Sequence, residues 1–257
     1  MFYTRKRFFL KVRDFWFCSE RKMENEDGAD FVQYHDVNWN IHDTSSLVSS
    51  TNSQTLINDL LEDMDSIQKK IKKNGRYEIR RAKREGFNVV VIPSQIVLEQ
   101  KNILKRIANR HSHMFAQKGL KRKDEYPIMY AAAEANMLTV SVCTTKTGKE
   151  CVYHVYITGT GRARLLHSIS VYRDANNAEE RNAIGRANRL SHFEDMIWFK
   201  EHGFSVYDWG GYSNGRLAGI DDFKASFGGR IENRYSFILS RSLLGHLLGF
   251  VLKRRTR

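Results

Sequence analysis

The sequence predicts an α/β fold, an α+β mixed sheet with helices packed on it, in one compact unit. Three observations predict it. Strand-like and helix-like stretches follow one another as strand, helices, strand, helices, a meander of strands, helix, strand, glycine loop, helix, strand. That order gives a mixed sheet rather than the strict alternation of a doubly wound or barrel fold. The 257 residues are 41% hydrophobic, enough to bury an ordinary core. Only two prolines occur, Pro93 and Pro127, with no Ser/Gly-rich linker. We read residues 1–257 as a single domain: an N-terminal remnant over about 1–54, a core over about 55–240 and an amphipathic helix over 241–257.

Residues 8–17, "FFLKVRDFWF", are aromatic-rich and predict a strand. Residues 18–53 are polar, and "DTSSLVSSTNS" reads as loop. Residues 55–86 read as a helical segment ahead of the sheet, with Leu56, Leu60, Met64, Ile67 and Ile71 at three/four spacing. Gly75 is expected to break it in two and Gly86 to end it. "FNVVVIP" predicts a buried strand, 95–118 a helix, and "YPIMYAAAEAN" a short helix. Two or three strands follow over 137–172, around turns at Gly148 and Gly159–Gly161. "AEERNAIGRANRLSHFEDMIWFKEHG" is a helix ending at Gly203, "FSVYDWGG" a strand, "RIENRYSFILS" the last strand and "SLLGHLLGFVLKRR" the last helix.

The formal net charge of +13 implies an anionic partner: nucleic acid, a phosphorylated metabolite or an acidic membrane surface. Cys18, Cys143 and Cys151 show no CxxC spacing, and an odd count suggests a reducing compartment. They read as small buried residues rather than nucleophiles or ligands. Lys11, Arg13 and Asp14 interrupt the N-terminal apolar stretch, so it does not read as a signal peptide. No run reaches the length of a transmembrane helix. The expected location is the cytoplasm, including the inner face of the cytoplasmic membrane. No metal is expected, because His111 and His113 are two apart and on a helix do not share a face.

Three stretches carry candidate chemistry. Residues 66–86 hold nine Lys/Arg against two acids, a net +7. On a helix, Lys69, Lys73, Arg76, Arg80 and Arg84 form one stripe, which is either a phosphate clamp or a solvated face. In "NAIGRAN", Gly185 and Ala187 fall near the start of a helix, where small residues let a phosphate approach free backbone N–H groups. The bland alternative is a helix packed through small residues. Residues 207–229, "YDWGGYSNGRLAGIDDFKASFGG", hold six of the 17 glycines. Glycine weakens helix and strand interiors, so the cluster marks tight turns or close backbone approach. Asp208 there is a candidate general base or a loop-holding carboxylate. Asp221 and Asp222 read as the N-terminal cap of the following helix. Tyr207, Trp209 and Tyr212 either stack on a sugar or adenine or line the core. His167 and His192 read as acid–base candidates or structural histidines. The tail joins Leu243, Leu244, Leu247, Leu248 and Val251 to terminal cations, which suits either an anionic membrane surface or a packed terminal helix.

Taken together these stretches resemble a known family. "NAIGRAN" is similar to the Gln/Arg-x-x-Gly-x-Gly/Ala pattern with which GNAT acetyltransferases bind the coenzyme A pyrophosphate, with Asn182 at the Gln/Arg position and Arg181 one residue earlier. "YDWGG", "GIDDFKASFGG", "RYEIRRAKREG" and "GRANRLSHFEDMIWFKEHGFSVYDWGG" resemble the FemAB-like aminoacyl- and acyltransferases of the GNAT superfamily, over roughly 55–240. The resemblance implies a GNAT-type acyltransferase fold. It implies that Phe223 and Lys224 match the family's "FK", with Lys224 at the acyl-transfer site, where a cation would stabilise the oxyanion of a tetrahedral intermediate. Gly228 and Gly229 match its "FGG" turn, and Tyr207, Asp208, Gly210 and Gly211 its "YDxGG". Arg76, Arg80 and Arg81 match its basic helix and imply contact with an acceptor's phosphates. Asn182, Gly185, Arg186 and Ala187 are the implied donor cradle. Classical Fem ligases have two such units and often a coiled-coil arm for transfer RNA. This chain has room for about one unit and shows no heptads, so acyl-CoA stands beside aminoacyl-tRNA as the implied donor.

The reading is an N-acyltransferase that moves an acyl or aminoacyl group to an amine of a cell-envelope glycan precursor, such as a nucleotide- or lipid-linked amino sugar or a peptidoglycan precursor. The implied partners are an anionic phosphorylated acceptor, transfer RNA, and a membrane touched through the C-terminal helix. Two rivals are a basic nucleic-acid-binding module and a catalytically inactive GNAT scaffold at the membrane.

Overall fold

A computed structural model describes residues 1–23, 26–41, 45–100, 102–120, 124–213, 215 and 217–255; of Phe250 and 252–255 only the backbone is described. The chain forms two compact units. The smaller holds 1–55, 211–213 and 231–257, and the larger holds 56–210 and 214–230. The expected mixed α/β architecture is present.

In the smaller unit, β1 (Phe2–Arg7) and β2 (Leu10–Trp16) form an antiparallel hairpin. β2 pairs in parallel with β3 (Phe31–Val37), and β3 pairs antiparallel with β10 (Arg230–Ser240). Phe15, Val32, Tyr34, Val37, Phe237 and Leu239 fill its core. Here the sequence reading is corrected. The stretch 18–53 is not loop throughout: β3 and most of β4 (Leu47–Asp59) lie in it. After half-buried Leu47 and Val48, β4 runs through exposed Ser, Thr and Asn, whose polarity hides a strand, and only Thr55–Asn58 are buried. The helical segment likewise does not begin at 55, because Leu56 and Ile57 are buried β4 residues. Alternation and three/four spacing coincide over so short a window.

The larger unit starts from the end of β4. Asp63 caps α1 (Met64–Lys70) by accepting from the Ser66 N–H. α2 (Lys73–Arg84) follows, and the break falls at Ile71–Lys72 rather than Gly75, which is buried inside α2. Gly86 ends α2 at φ +80°. β5 (Asn88–Pro93) comes next, alternately exposed at the sheet edge rather than fully buried. The helix expected over 95–118 is two helices, α3 (Ser94–Glu99) and α4 (Asn102–Gln117), followed by α5 (Tyr126–Glu134). β6 (Leu138–Thr144), β7 (Glu150–Gly159) and β8 (Arg162–Ser170) form the expected meander. α6 (Ala178–Glu201) crosses over to β9 (Val206–Tyr212), which runs parallel to β8. α7 (Ala218–Ala225) then leads to β10, and α8 (Leu243–Arg255) closes the chain. Residues 256 and 257 of the expected last helix lie outside the described residues.

The β8–β9 ladder is short: Arg162, Ala163 and Arg164 oppose Val206, Tyr207 and Asp208. Gly210 follows at φ +73°, and a Cβ there would sit 2.8 Å from the Leu165 carbonyl oxygen. Gly229, at φ +99°, passes so close to β4 that a Cβ would lie 2.3 Å from the Ile57 oxygen. Two of the clustered glycines therefore serve close backbone approach in a left-handed conformation.

Candidate active site

The short parallel ladder sets Arg162, Arg164 and Asp208 together. Residues two apart on a strand share a face, so both arginines of "GRAR" point the same way as their neighbour on β9. Asp208 is fully buried and ion-paired to both. Arg162 Nε donates to its Oδ2 at 2.8 Å, Arg164 Nη1 to its Oδ1 at 3.2 Å, and the Gly210 N–H to Oδ1 at 2.9 Å. A buried carboxylate so engaged is a counter-charge that fixes two guanidinium groups.

Lys224 lies on α7, half-buried. Burial, first, and the nearby Arg164 cation, second, pull its pKa below the ordinary lysine value, while Asp221 and Asp208 oppose them. Asp221 does not cap α7. The helix begins at Ala218 with Leu217 at the cap position, and buried Asp221 sits in its first turn, accepting from the Gly215 N–H at 2.9 Å.

Beside α7 lies a cleft of about 500 Å³. Its walls include Ser170 at the end of β8, Arg181, Asn182 and Arg189 on α6, Glu78 on α2, and Phe223. The Arg189 guanidinium lies 4.6 Å over the Phe223 ring, pairs with Glu78, and donates to Ser226 Oγ at 2.7 Å. Arg162, Arg164 and Arg189 were not singled out from sequence. The one available signal was the i, i+2 arginine pair in a predicted strand.

The implied donor cradle is rearranged. α6 starts at Ala178, so Asn182, Gly185 and Ala187 lie in its second and third turns, where backbone N–H groups are already spent on the helix. The free first turn is capped by Asn177 and carries Glu179 and Glu180. Ala187 is fully buried, and Arg186 is forked onto Glu85 at 2.8 and 3.0 Å. A pyrophosphate held by backbone amides over 182–188 does not fit this helix. What faces the cleft instead is side chains, among them Arg181 and Asn182.

The expected aromatic stacking surface is also corrected. Tyr207 is 0% and Trp209 1% exposed, both packed in the core. Trp209 Nε1 donates to Asn58 Oδ1 at 2.7 Å. Tyr212 is part-exposed, in the smaller unit. The basic stripe is shorter than expected. Lys69 belongs to α1, and Arg76 turns back to donate to the Lys69 and Ile71 carbonyls at 2.9 and 2.8 Å. Arg81 pairs with Glu85, which leaves Lys73, Arg80 and Arg84 as the exposed cations at this spacing on α2.

Behind the cleft runs a buried polar chain that the sequence did not disclose. Asn188 Oδ1, on the cleft wall, is 2.9 Å from His154 Nε2. His154 Nδ1 is 2.7 Å from Asp195 Oδ2, to which the Tyr156 hydroxyl donates at 2.6 Å. Tyr156 and Tyr207 hydroxyls lie 2.7 Å apart, and His192 Nδ1 is 2.6 Å from the Tyr207 hydroxyl. Burial drives both tyrosine pKa values well above 10 and that of His192 well below 6.5. Ligand atoms of His154, His192 and Asp195 lie within 4.8 Å of one another. The three are nonetheless bound into this hydrogen-bonded chain, and the two imidazoles stack face to face at 4.0 Å. His167 stands apart, against His111 at 4.3 Å.

This geometry sits on a fold shared with FemX and with two proteins named as lysylphosphatidylglycerol synthetases, as comparison with solved structures shows. The crystal structure of FemX aligns with a TM-score of 0.63 at 12% identity, covering 98% of this chain and 86% of that one. The C-terminal domain of a putative lysylphosphatidylglycerol synthetase from Agrobacterium fabrum aligns at 0.54 and 15%, covering 96% and 82%. L-PGS from Bacillus licheniformis aligns at 0.53 and 15%, covering 98% and 84%. No family model and no curated protein sequence matches the chain.

Proposed function

We propose that the protein is an acyl- or aminoacyltransferase that carries an acyl group from a thioester or ester donor to an amine. The observation that carries the reading is Lys224: a half-buried cation with a pKa lowered by burial and by the charge of Arg164, against the opposing charges of Asp221 and Asp208, on the helix whose Phe223 lines an arginine-bearing cleft. The amine nitrogen attacks the donor carbonyl carbon, and the new C–N bond leaves an oxyanion. The Lys224 ammonium stabilises that oxyanion in a site partly shielded from water, where charge stabilisation is strongest. Collapse breaks the C–S or C–O bond, and the proton lost by nitrogen leaves with the departing thiol or hydroxyl. Asp208 serves as the counter-charge that orients Arg162 and Arg164 rather than as the base, because its oxygens are taken by two guanidinium groups.

The finer reading keeps acyl-CoA and aminoacyl-tRNA as donors, and an envelope glycan precursor with a phosphorylated carrier as acceptor. Arg181, Asn182 and Arg189 would hold phosphates in the cleft, with Arg80 and the other exposed α2 cations outside it. Similarity of fold to FemX and to proteins named lysylphosphatidylglycerol synthetases favours aminoacyl transfer to a phosphorylated acceptor.

The test is calorimetric titration with acetyl-CoA and, separately, with charged transfer RNA, followed by mass-spectrometric detection of transfer to amino-sugar nucleotides. One donor should bind. Lys224→Ala should keep donor affinity while kcat falls by about 10²–10³, the cost of losing one oxyanion-stabilising group. The rate should also fall as pH rises through the lowered Lys224 pKa, below the range of a solvated lysine, because the cation is lost there. Binding of neither donor overturns the reading, as does full activity in Lys224→Ala. Salt-sensitive binding to any RNA, without donor dependence, would favour the nucleic-acid-binding rival.

A further inference from the structure

The smaller unit exposes large apolar side chains where the sheet ends. The β1–β2 turn presents Phe8 at 90% and Phe9 at 74% exposure. The first turns of α8 present Leu243 at 91% and Leu247 at 65%. Strand register brings the two features to one end of this unit. Val12, near the start of β2, opposes Phe31 at the start of β3, and Phe31 opposes Ser240 at the end of β10. Asp30 ties them together. Its Oδ2 accepts from the Lys11 N–H at 2.8 Å, its Oδ1 from Ser242 Oγ at 2.5 Å, and its carbonyl from the Arg241 N–H at 2.9 Å. Lys11 is two residues from Phe9, and Ser242 adjoins Leu243. Gly245 permits this approach, since a Cβ there would lie 2.3 Å from the Asp30 oxygen.

The charge carried by the hairpin up to residue 13 is of one sign. Residues 1–13 contain Arg5, Lys6, Arg7, Lys11 and Arg13 and no acid. Arg5 is paired to Asp14 within the sheet, while Lys6, Arg7 and Lys11 are exposed. Two phenylalanines on a turn, with exposed leucines on an adjoining helix and cations beside them, match an interface whose interior is apolar and whose surface is anionic. A polar RNA surface has no use for the leucines. No described helix is long and apolar enough to cross a membrane, so contact would be with its surface.

We infer that this end of the smaller unit docks on an anionic phospholipid bilayer, with Phe8, Phe9, Leu243 and Leu247 entering the interface and Lys6, Arg7 and Lys11 meeting lipid phosphates. The inference does not depend on the transfer reaction, and its test reads binding alone.

The full chain is sedimented with phosphatidylcholine vesicles with and without phosphatidylglycerol, at low and high salt. It should bind only the anionic vesicles, and less at high salt. Phe8→Asn with Phe9→Ser should lower the partition coefficient at least tenfold without changing thermal stability. Asn suits the left-handed backbone at position 8 (φ 55°), and both side chains are in solvent. Lys6→Glu and Arg7→Glu should each cost at least about fivefold. Leu243→Ser with Leu247→Ser is a second, independent arm. Equal binding to neutral vesicles, or unchanged binding by the phenylalanine variant, overturns the inference. So does a dimer seen by light scattering that the same variants dissolve, or RNA binding that they abolish without any vesicle binding.

Discussion

Two clusters of buried polar side chains lie in the larger unit, and they are built on opposite principles. The chain from His154 through Asp195, Tyr156 and Tyr207 to His192 joins each member to the next by hydrogen bonds of 2.6–2.7 Å. Apart from Asn188 at the cleft wall, its members are at most 1% exposed. The Asp208 cluster concentrates charge: two arginines on one carboxylate, with Lys224 part-exposed close by. The difference separates structure from chemistry. A chain of hydrogen-bonded groups, in which Asp195 Oδ1 lacks a partner, fixes how α6, β7 and β9 pack. A charged cluster with a half-buried cation beside it stores an electrostatic field of the kind a developing oxyanion can use.

Substitutions can break or sharpen this contrast. Asp208→Ala should have the largest effect, because it strands two arginines that are 8% and 15% exposed. Removing one partner of a buried pair costs about 3–5 kcal/mol, to be read by urea denaturation; a cost near that of a surface pair would show that water reaches the cluster. Tyr207→Phe should cost about 1–3 kcal/mol, since it leaves the Tyr156 hydroxyl and His192 Nδ1 each short of a partner. If that variant also abolished transfer while remaining folded, the hydrogen-bonded chain would belong to the chemistry.

His192 supplies a smaller, pH-dependent effect. Its folded pKa is depressed by burial, then by His154, Lys224 and Arg189, so the unfolded chain binds the proton more readily. Its contribution is therefore present above pH 6.5 and lost as pH falls below it, by at most about 1.4 kcal/mol per pH unit. Thermal melts of wild type and His192→Gln from pH 7 downward should converge, and parallel curves would assign the acid sensitivity elsewhere. The least effect belongs to Glu62→Gln, which removes an exposed pair with Lys70 and should leave the melting temperature unchanged.

Legibility followed the physics of each signal. Gly86 and Gly203 marked helix ends because a left-handed residue is needed there, and both have φ of +80°. The meander over β6–β8 was visible in its apolar runs and glycine turns. β3 was missed because half-buried Gln33 and His35 and buried Asp36 interrupt its apolar pattern, and β4 because a polar, exposed run fills Ser49–Ser53. Of the candidate site, Lys224, Phe223 and Asp208 could be named from a motif. Arg162, Arg164 and Arg189 could not, because long-range pairing alone brings them together.

By itself the sequence determined the mixed α/β class, most helices, and the glycine-rich passage that carries Lys224, since periodicity and backbone permissiveness are local properties. Only the tertiary structure decided which polar groups are sealed and which are poised. Whether Asp208 is a free base or a counter-charge, whether Tyr207 and Trp209 face a ligand or the core, and whether residues 182–188 offer free amides all depend on what packs beside them. Burial and charge pairing are set by chain segments far apart in sequence, so no window of residues contains them.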